Sequence, residues 1–150
     1  AFVQIPYLCA MARILAIDYG KKRTGIAVTD ELQLIANGLT TVATVELEKF
    51  ILEYVGREPV ERIVVGLPKQ MNNQPSENMG RIRPFVNRLR KILPSIPVEF
   101  YDERFTSVLA HQAILASGIG KMARRDKVLV DEISATIILQ SYMESRRMCK

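Results

Sequence analysis

The chain has 150 residues, 48% of them hydrophobic and 25% charged, which suits one folded domain. This composition excludes a disordered or collagen-like chain, and no uncharged apolar run reaches the ~18 residues of a membrane span. Lys and Arg number 21 against 16 for Asp and Glu, a formal charge of +5, compatible with a polyanionic partner without identifying one. The two cysteines, Cys9 and Cys149, lie near opposite ends and make no metal-type cluster. A reduced, cytoplasmic setting fits them best.

Residues 1–10 (AFVQIPYLCA) lack the basic start of a signal peptide, and Gln4 and Pro6 interrupt their apolar stretch. Met11 opens a more regular pattern, so residues 1–10 read as an N-terminal extension and 11–150 as a single domain. Residues 13–18 (RILAID) form a short β-branched run that ends in an acid. Residues 24–29 (TGIAVT) follow through the basic turn 19–23, and residues 38–44 (GLTTVAT) make a weaker third run. Three short runs with tight connections predict a β-meander.

Leu47, Phe50, Ile51, Tyr54 and Val55 then recur on one helix face. Residues 62–66 (RIVVG) predict a fully apolar strand, and residues 71–76 read as a loop. A second helix presents Ile82, Phe85, Val86, Leu89, Ile92 and Leu93, with Pro84 near its first turn or at a kink. Residues 97–102 (PVEFYD) predict another strand, and Thr106 and Ser107 cap a helix over 107–117. A basic, glycine-containing loop over 118–127 leads to a last helix over 131–147. A meander followed by alternating helix and strand is an α/β domain with a mixed sheet.

Acids stand at the ends of these elements. Asp18 ends the first strand, Asp102 and Glu103 end the fifth, and Asp131 opens the last helix. In open α/β sheets the carboxyl ends of the strands form the rim where ligands bind. Carboxylates gathered at one point repel one another unless a cation neutralises them. An oxygen-only donor set favours Mg²⁺ or Mn²⁺, and two such ions ~4 Å apart would assist phosphodiester hydrolysis. Each acid also has a plainer reading: Asp131 as a helix cap, Asp102 and Glu103 as surface partners of Arg104. Asp18, between ILAI and a glycine turn, has no obvious structural task.

The run from Asp18 to Ala27 (DYGKKRTGIA) resembles the opening motif of the YqgF/RuvX family, the pre-16S ribosomal RNA nucleases. Residues 65–68 (VGLP), 102–107 (DERFTS) and 127–131 (KVLVD), the last running into 137–142 (IILQSY), are similar to its later motifs, in order and spacing. The family belongs to the RNase H-like superfamily and has relatives among Holliday junction resolvases. The resemblance implies an RNase H-like fold: a five-stranded mixed sheet, second strand antiparallel, flanked by helices. It also implies that Asp18, Glu103 and Asp131 are the catalytic, metal-binding acids, with Asp102 as a supporting neighbour.

Around these acids, Lys21, Lys22, Arg23 and Arg104 are placed to meet phosphates, and Thr106 and Ser107 offer hydroxyls or helix N-terminal amides. Lys127 would offset transition-state charge. Arg81, Arg83, Arg88, Arg90 and Lys91 are the solvated side of the second helix, with a nucleic-acid track as the alternative. The cluster Lys121, Arg124, Arg125 could close over a strand, and His111 reads as structural. The leading expectation is a cytoplasmic, Mg²⁺- or Mn²⁺-dependent nuclease that trims the 5′ end of pre-16S rRNA, with ribosome precursor particles as partners and no membrane. Two alternatives remain open: a resolvase of four-way DNA junctions, and a non-catalytic RNA-binding assembly factor. The acid and glycine turn also resemble the phosphate-binding hairpin of actin-like domains, although a second lobe is missing at this length. Oligomeric state is left open.

Overall fold

A computed structural model describes residues 12–67, 79–102 and 127–148, with the backbone alone for 127–131 and 147–148. The chain opens with strands β1 (Arg13–Asp18), β2 (Arg23–Thr29) and β3 (Ala36–Ala43). A 3₁₀ turn at Thr44–Glu46 leads into α1 (Leu47–Arg57). Then come β4 (Val60–Leu67), α2 (Met79–Ile92), β5 (Val98–Asp102) and α3 (Lys127–Met148). The expected helix over 107–117 and the loops over 71–76 and 118–126 lie outside the described residues.

The five strands form one sheet in the order β3-β2-β1-β4-β5. β2 is antiparallel to both its neighbours, whereas β1, β4 and β5 pair in parallel. The mixed sheet with a reversed second strand is therefore present. β1 and β4 lie at its centre with both faces covered, which is why RILAID and RIVVG read as continuous apolar runs rather than alternating ones.

Period-two alternation sorts the core into two layers. Leu15, Ile17, Ile26, Val28, Ile63, Val65 and Val98 face α1 and α2, where they meet Leu47, Ile51, Tyr54, Ile82, Phe85, Val86 and Leu89. Ile14, Ala16, Ala27 and Val64 face α3 and pack on Ala135, Ile138, Leu139, Tyr142 and Met143. The small residues on the second face let α3 lie close to the sheet. At Gly38 a Cβ would stand 3.0 Å from the Glu132 Oε1 and 3.3 Å from the Thr136 Oγ1.

Two expectations are corrected. Ile92 is 42% exposed rather than part of the α2 stripe; it is the last residue of the helix, at the edge of the stripe. The last helix begins at Lys127, not at Asp131. Nothing in Val128, Leu129 or Val130 breaks a helix, so Asp131 is a residue of the helix rather than its cap, and Lys127 belongs to its first turn. Pro84 is accommodated inside α2. The Gly80 carbonyl that loses its donor is on an exposed residue, so the loss does not strand a buried acceptor.

Candidate active site at the carboxyl rim

Asp18 is the last residue of the central strand β1 and pairs with Gly25 of β2. On its other side Ile17 pairs with Val65, so the next step along β4 is Gly66, which in turn pairs with Tyr101 of β5. Ile14 and Ala16 lie on the α3 face, and alternation gives Asp18 that same face. Its neighbours across the sheet are thus glycines on both sides. Neither of these two paired positions contributes a side chain beside the carboxylate, which favours close approach of a ligand along the strand ends.

The turn that follows is held at several points. A Cβ on Gly20 would approach the Arg23 carbonyl oxygen to 2.2 Å, so only glycine fits there. The Thr44 hydroxyl donates to the Gly20 carbonyl at 2.7 Å and lies 2.9 Å from the hydroxyl of buried Thr24. The Thr44 amide donates to the Lys22 carbonyl at 2.9 Å. On the opposite face of the sheet the Tyr19 ring rests on Phe85 of α2, centroids 5.3 Å apart. Lys21, Lys22 and Arg23 are exposed on this fastened turn, directly after Asp18. Thr24 and Thr44 escaped the sequence reading, because two threonines twenty residues apart leave no local pattern.

α3 covers the Asp18 face obliquely. Glu132 and Thr136 meet Gly38 of β3, while Tyr142 reaches β4 and β5. There its hydroxyl donates to the Glu99 Oε2 at 2.8 Å and accepts from the Arg62 Nη1 at 3.2 Å. Arg62 and Glu99 also form an ion pair with each other. The Arg62 Nε is buried and has no hydrogen-bond partner among the described residues. Burial pushes the Tyr142 phenol above its ordinary range, and its hydrogen bond to Glu99 adds to this, while Arg62 opposes it. The Tyr101 ring meets Tyr142 edge-on at 6.0 Å, and the Arg146 guanidinium lies 5.8 Å from the Tyr142 ring centroid. A charged residue inside each of two apolar strands was the available signal for this cluster.

The candidate acids are distributed as follows. Asp131 immediately precedes Glu132 in the helix on the Asp18 face; its side chain, like that of Lys127, lies outside the described residues. Glu103, Arg104, Thr106 and Ser107 lie outside them altogether. Asp102 ends β5, paired with Leu67 and separated from β1 by β4, two strand spacings or about 10 Å away. It follows Tyr101, which packs on the α3 face, so alternation gives Asp102 the opposite face. The sheet therefore does not bring Asp102 onto one face with Asp18. Among the described residues no group of three or more His, Cys, Asp or Glu could hold a metal ion; Asp18 alone of the three proposed ligands has a described side chain.

The chain matches a family model described as "RuvX: Holliday junction resolvase" over residues 12–145. It is 74% identical over 137 residues to a Phocaeicola vulgatus protein named "Putative pre-16S rRNA nuclease", covering 91% of this chain and 99% of that one. A Bacteroides thetaiotaomicron protein of the same name is 68% identical over 137 residues, with the same shares covered. Among solved structures, Thermus thermophilus RuvC bound to a Holliday junction substrate superimposes with a TM-score of 0.58 at 17% identity, covering 91% of this chain and 96% of that one. The fowlpox virus resolvase in its junction complex gives 0.54 at 16% identity, covering 89% and 98%. These two establish the resolvase-like, RNase H-like fold. With the family model spanning nearly all of the described strands and helices, the chain belongs to the RuvX family.

Proposed function

We propose that this chain is a metal-dependent nuclease that hydrolyses phosphodiester bonds in the 5′ maturation of pre-16S rRNA. The observation that carries the reading is Asp18, an acid at the carboxyl end of the central strand, between two glycines and on the face that α3 covers. The near-identical extent of relatives named for pre-16S rRNA favours that RNA as substrate.

Asp18, Glu103 and Asp131 are the proposed holders of Mg²⁺ or Mn²⁺, a donor set of hard oxygens that suits these ions. A carboxylate at a strand end, flanked across the sheet by Gly25 and Gly66, fits such a group. Bound there, the ions supply Lewis acidity and lower the pKa of an attacking water. Asp18 fixes one side of the site because its strand is buried at the sheet centre. Lys21, Lys22 and Arg23 bind phosphates flanking the scissile bond, held in place by the Gly20–Thr44 turn. Arg104, Thr106 and Ser107 extend that grip, and Lys127 offsets negative charge at the reacting phosphorus. Asp102, on the other face, is assigned support of the rim and no ion. In this reading the protein acts in the cytoplasm, on precursor particles of the ribosome. None of its described helices is long and apolar enough to cross a membrane.

The test offers a 5′-extended pre-16S RNA fragment and a four-way DNA junction to wild type and Asp18→Asn, with Mg²⁺, Mn²⁺ or EDTA. The expected result is metal-dependent RNA cleavage that falls more than about a hundredfold in the variant, the scale for losing one preorganised electrostatic group. Unchanged turnover in the variant overturns the mechanism. Junction cutting alone makes the protein a resolvase, and RNA binding without cutting makes it an assembly factor.

A further inference from the structure

α2 has an unusual charge distribution. Its 14 residues, MGRIRPFVNRLRKI, contain five cations (Arg81, Arg83, Arg88, Arg90 and Lys91) and no acid. A solvated helix face ordinarily mixes signs, since like charges three and four residues apart repel. Two of the five have internal tasks. The Arg90 guanidinium donates to the Val98 carbonyl at 2.8 Å and lies 5.7 Å from the Phe100 ring centroid. Arg88 pairs with Glu48 of α1 at 3.5 Å. Arg81, Arg83 and Lys91 are exposed and have no ion pair among the described residues.

The helix is also oriented toward the candidate site. Phe85 in its middle touches Tyr19, the residue after Asp18, whereas Arg90 near its end binds the start of β5. The half that carries Arg81 and Arg83 therefore lies toward the carboxyl rim. The exposed cations Lys21, Lys22 and Arg23 follow Asp18 at the same rim, on the β2 side of β1. Ile82, Phe85, Val86 and Leu89 pack one stripe on the sheet; at 100° per residue Arg81 and Arg83 flank that stripe on either side, with Lys91 opposite it. From Arg81 to Lys91 the basic surface extends ~15 Å at 1.5 Å per residue, the reach of a run of phosphates rather than of one anion.

We infer that the exposed face of α2, through Arg81 and Arg83 with Lys91 beyond them, is a second contact for the phosphate backbone of the substrate, gripping the strand where it leaves the rim. The inference rests on the nucleic-acid substrate proposed above and adds a binding surface on the face of the sheet opposite α3. Sugar-phosphate contacts of this kind position a substrate without reading its bases, so the track would set affinity and register rather than sequence preference.

The test measures the dissociation constant of the pre-16S RNA fragment in EDTA, across a salt series, for wild type, R81Q/R83Q and K49Q/R57Q. The last pair removes the same charge from α1. Each lost phosphate contact lowers the slope of log K against log salt by ~0.7–0.9. R81Q/R83Q is expected to flatten the slope by about 1.5 and to weaken binding about tenfold or more near 0.1 M salt. K49Q/R57Q should change little, and both variants should melt as wild type does. Equal losses in the two variants, or none in R81Q/R83Q, overturn the inference; an α2 face built for an acidic protein gives the second result. A protein that cuts RNA yet keeps its slope in R81Q/R83Q loses only this inference. One that loses slope as expected yet never cuts RNA loses only the catalytic reading.

Discussion

At the residue scale, the candidate site depends on how closely the chain can turn after Asp18. Gly20 faces backbone rather than a flexible side chain, and a Cβ there would collide with the Arg23 carbonyl oxygen at 2.2 Å. Gly20→Ala is expected to lower stability by about 1–3 kcal/mol, the usual scale of forced backbone strain. It should also reduce kcat/KM, because opening the turn moves Lys21 and Lys22. Denaturant midpoints and cleavage kinetics check both; an unchanged midpoint would show that the turn has another conformation available. Asp18 was legible in the sequence because an acid that ends a buried apolar strand needs a reason. The hydroxyl pair Thr24–Thr44 that locks the turn was not, since neither threonine departs from ordinary strand composition.

At the element scale, the β2–β3 connection is built around one carboxylate. Asp30 Oδ1 accepts the amides of Leu34 at 2.7 Å and Ile35 at 2.8 Å, and Gln33 adopts a positive φ of 58°. Slight burial would raise the Asp30 pKa, but these amide bonds outweigh it and hold the carboxyl below its usual range. A depressed folded pKa means the stabilisation is present above the unfolded value and is lost as pH falls through the folded one. Acidification into that range is expected to lower the protection of the Leu34 and Ile35 amides, measured relative to the intrinsic exchange rate at each pH, and Asp30→Asn should remove that change in protection. Exchange followed by NMR decides the point, and a pH-independent turn would show that Asp30 is not its organiser. α3 carries a different lesson. Its body was legible from Ile133, Ile137, Ile138 and Tyr142, but its start was misplaced because an acid at a plausible boundary looks like a cap whether or not the helix continues before it.

At the scale of the whole molecule, both faces of one sheet are used. α1 and α2 cover one face and α3 the other, and the residues assigned to chemistry depend on which side they take. Arg62, Glu99 and Tyr142 join β4, β5 and α3 in a cluster no single element could form. Tyr142→Phe keeps the ion pair and the ring packing while removing both hydrogen bonds of the hydroxyl, to Glu99 and from Arg62, an expected loss of at least about 1.5–3 kcal/mol. The Tyr142 phenol is pushed up chiefly by burial, so its neutral form favours the fold. That contribution is full below the unfolded pKa and fades as pH rises through the folded one. Thermal unfolding at neutral and strongly alkaline pH should therefore separate wild type from variant most clearly at neutrality; equal melting there would show the cluster to be inconsequential. The sequence by itself determined the order of strands and helices, the acid at the end of β1 and, through its motifs, the family. Local periodicity and turn chemistry suffice for the first two, whereas the family rests on the resemblance of the motifs. Only the tertiary structure decided that β4 separates β1 from β5, that Asp102 falls on the face opposite Asp18, and that the Arg62 cluster ties α3 to the sheet. The reason is physical: alternation orders residues within one strand, whereas strand register and the helix that covers each face arise from packing between segments far apart in the chain.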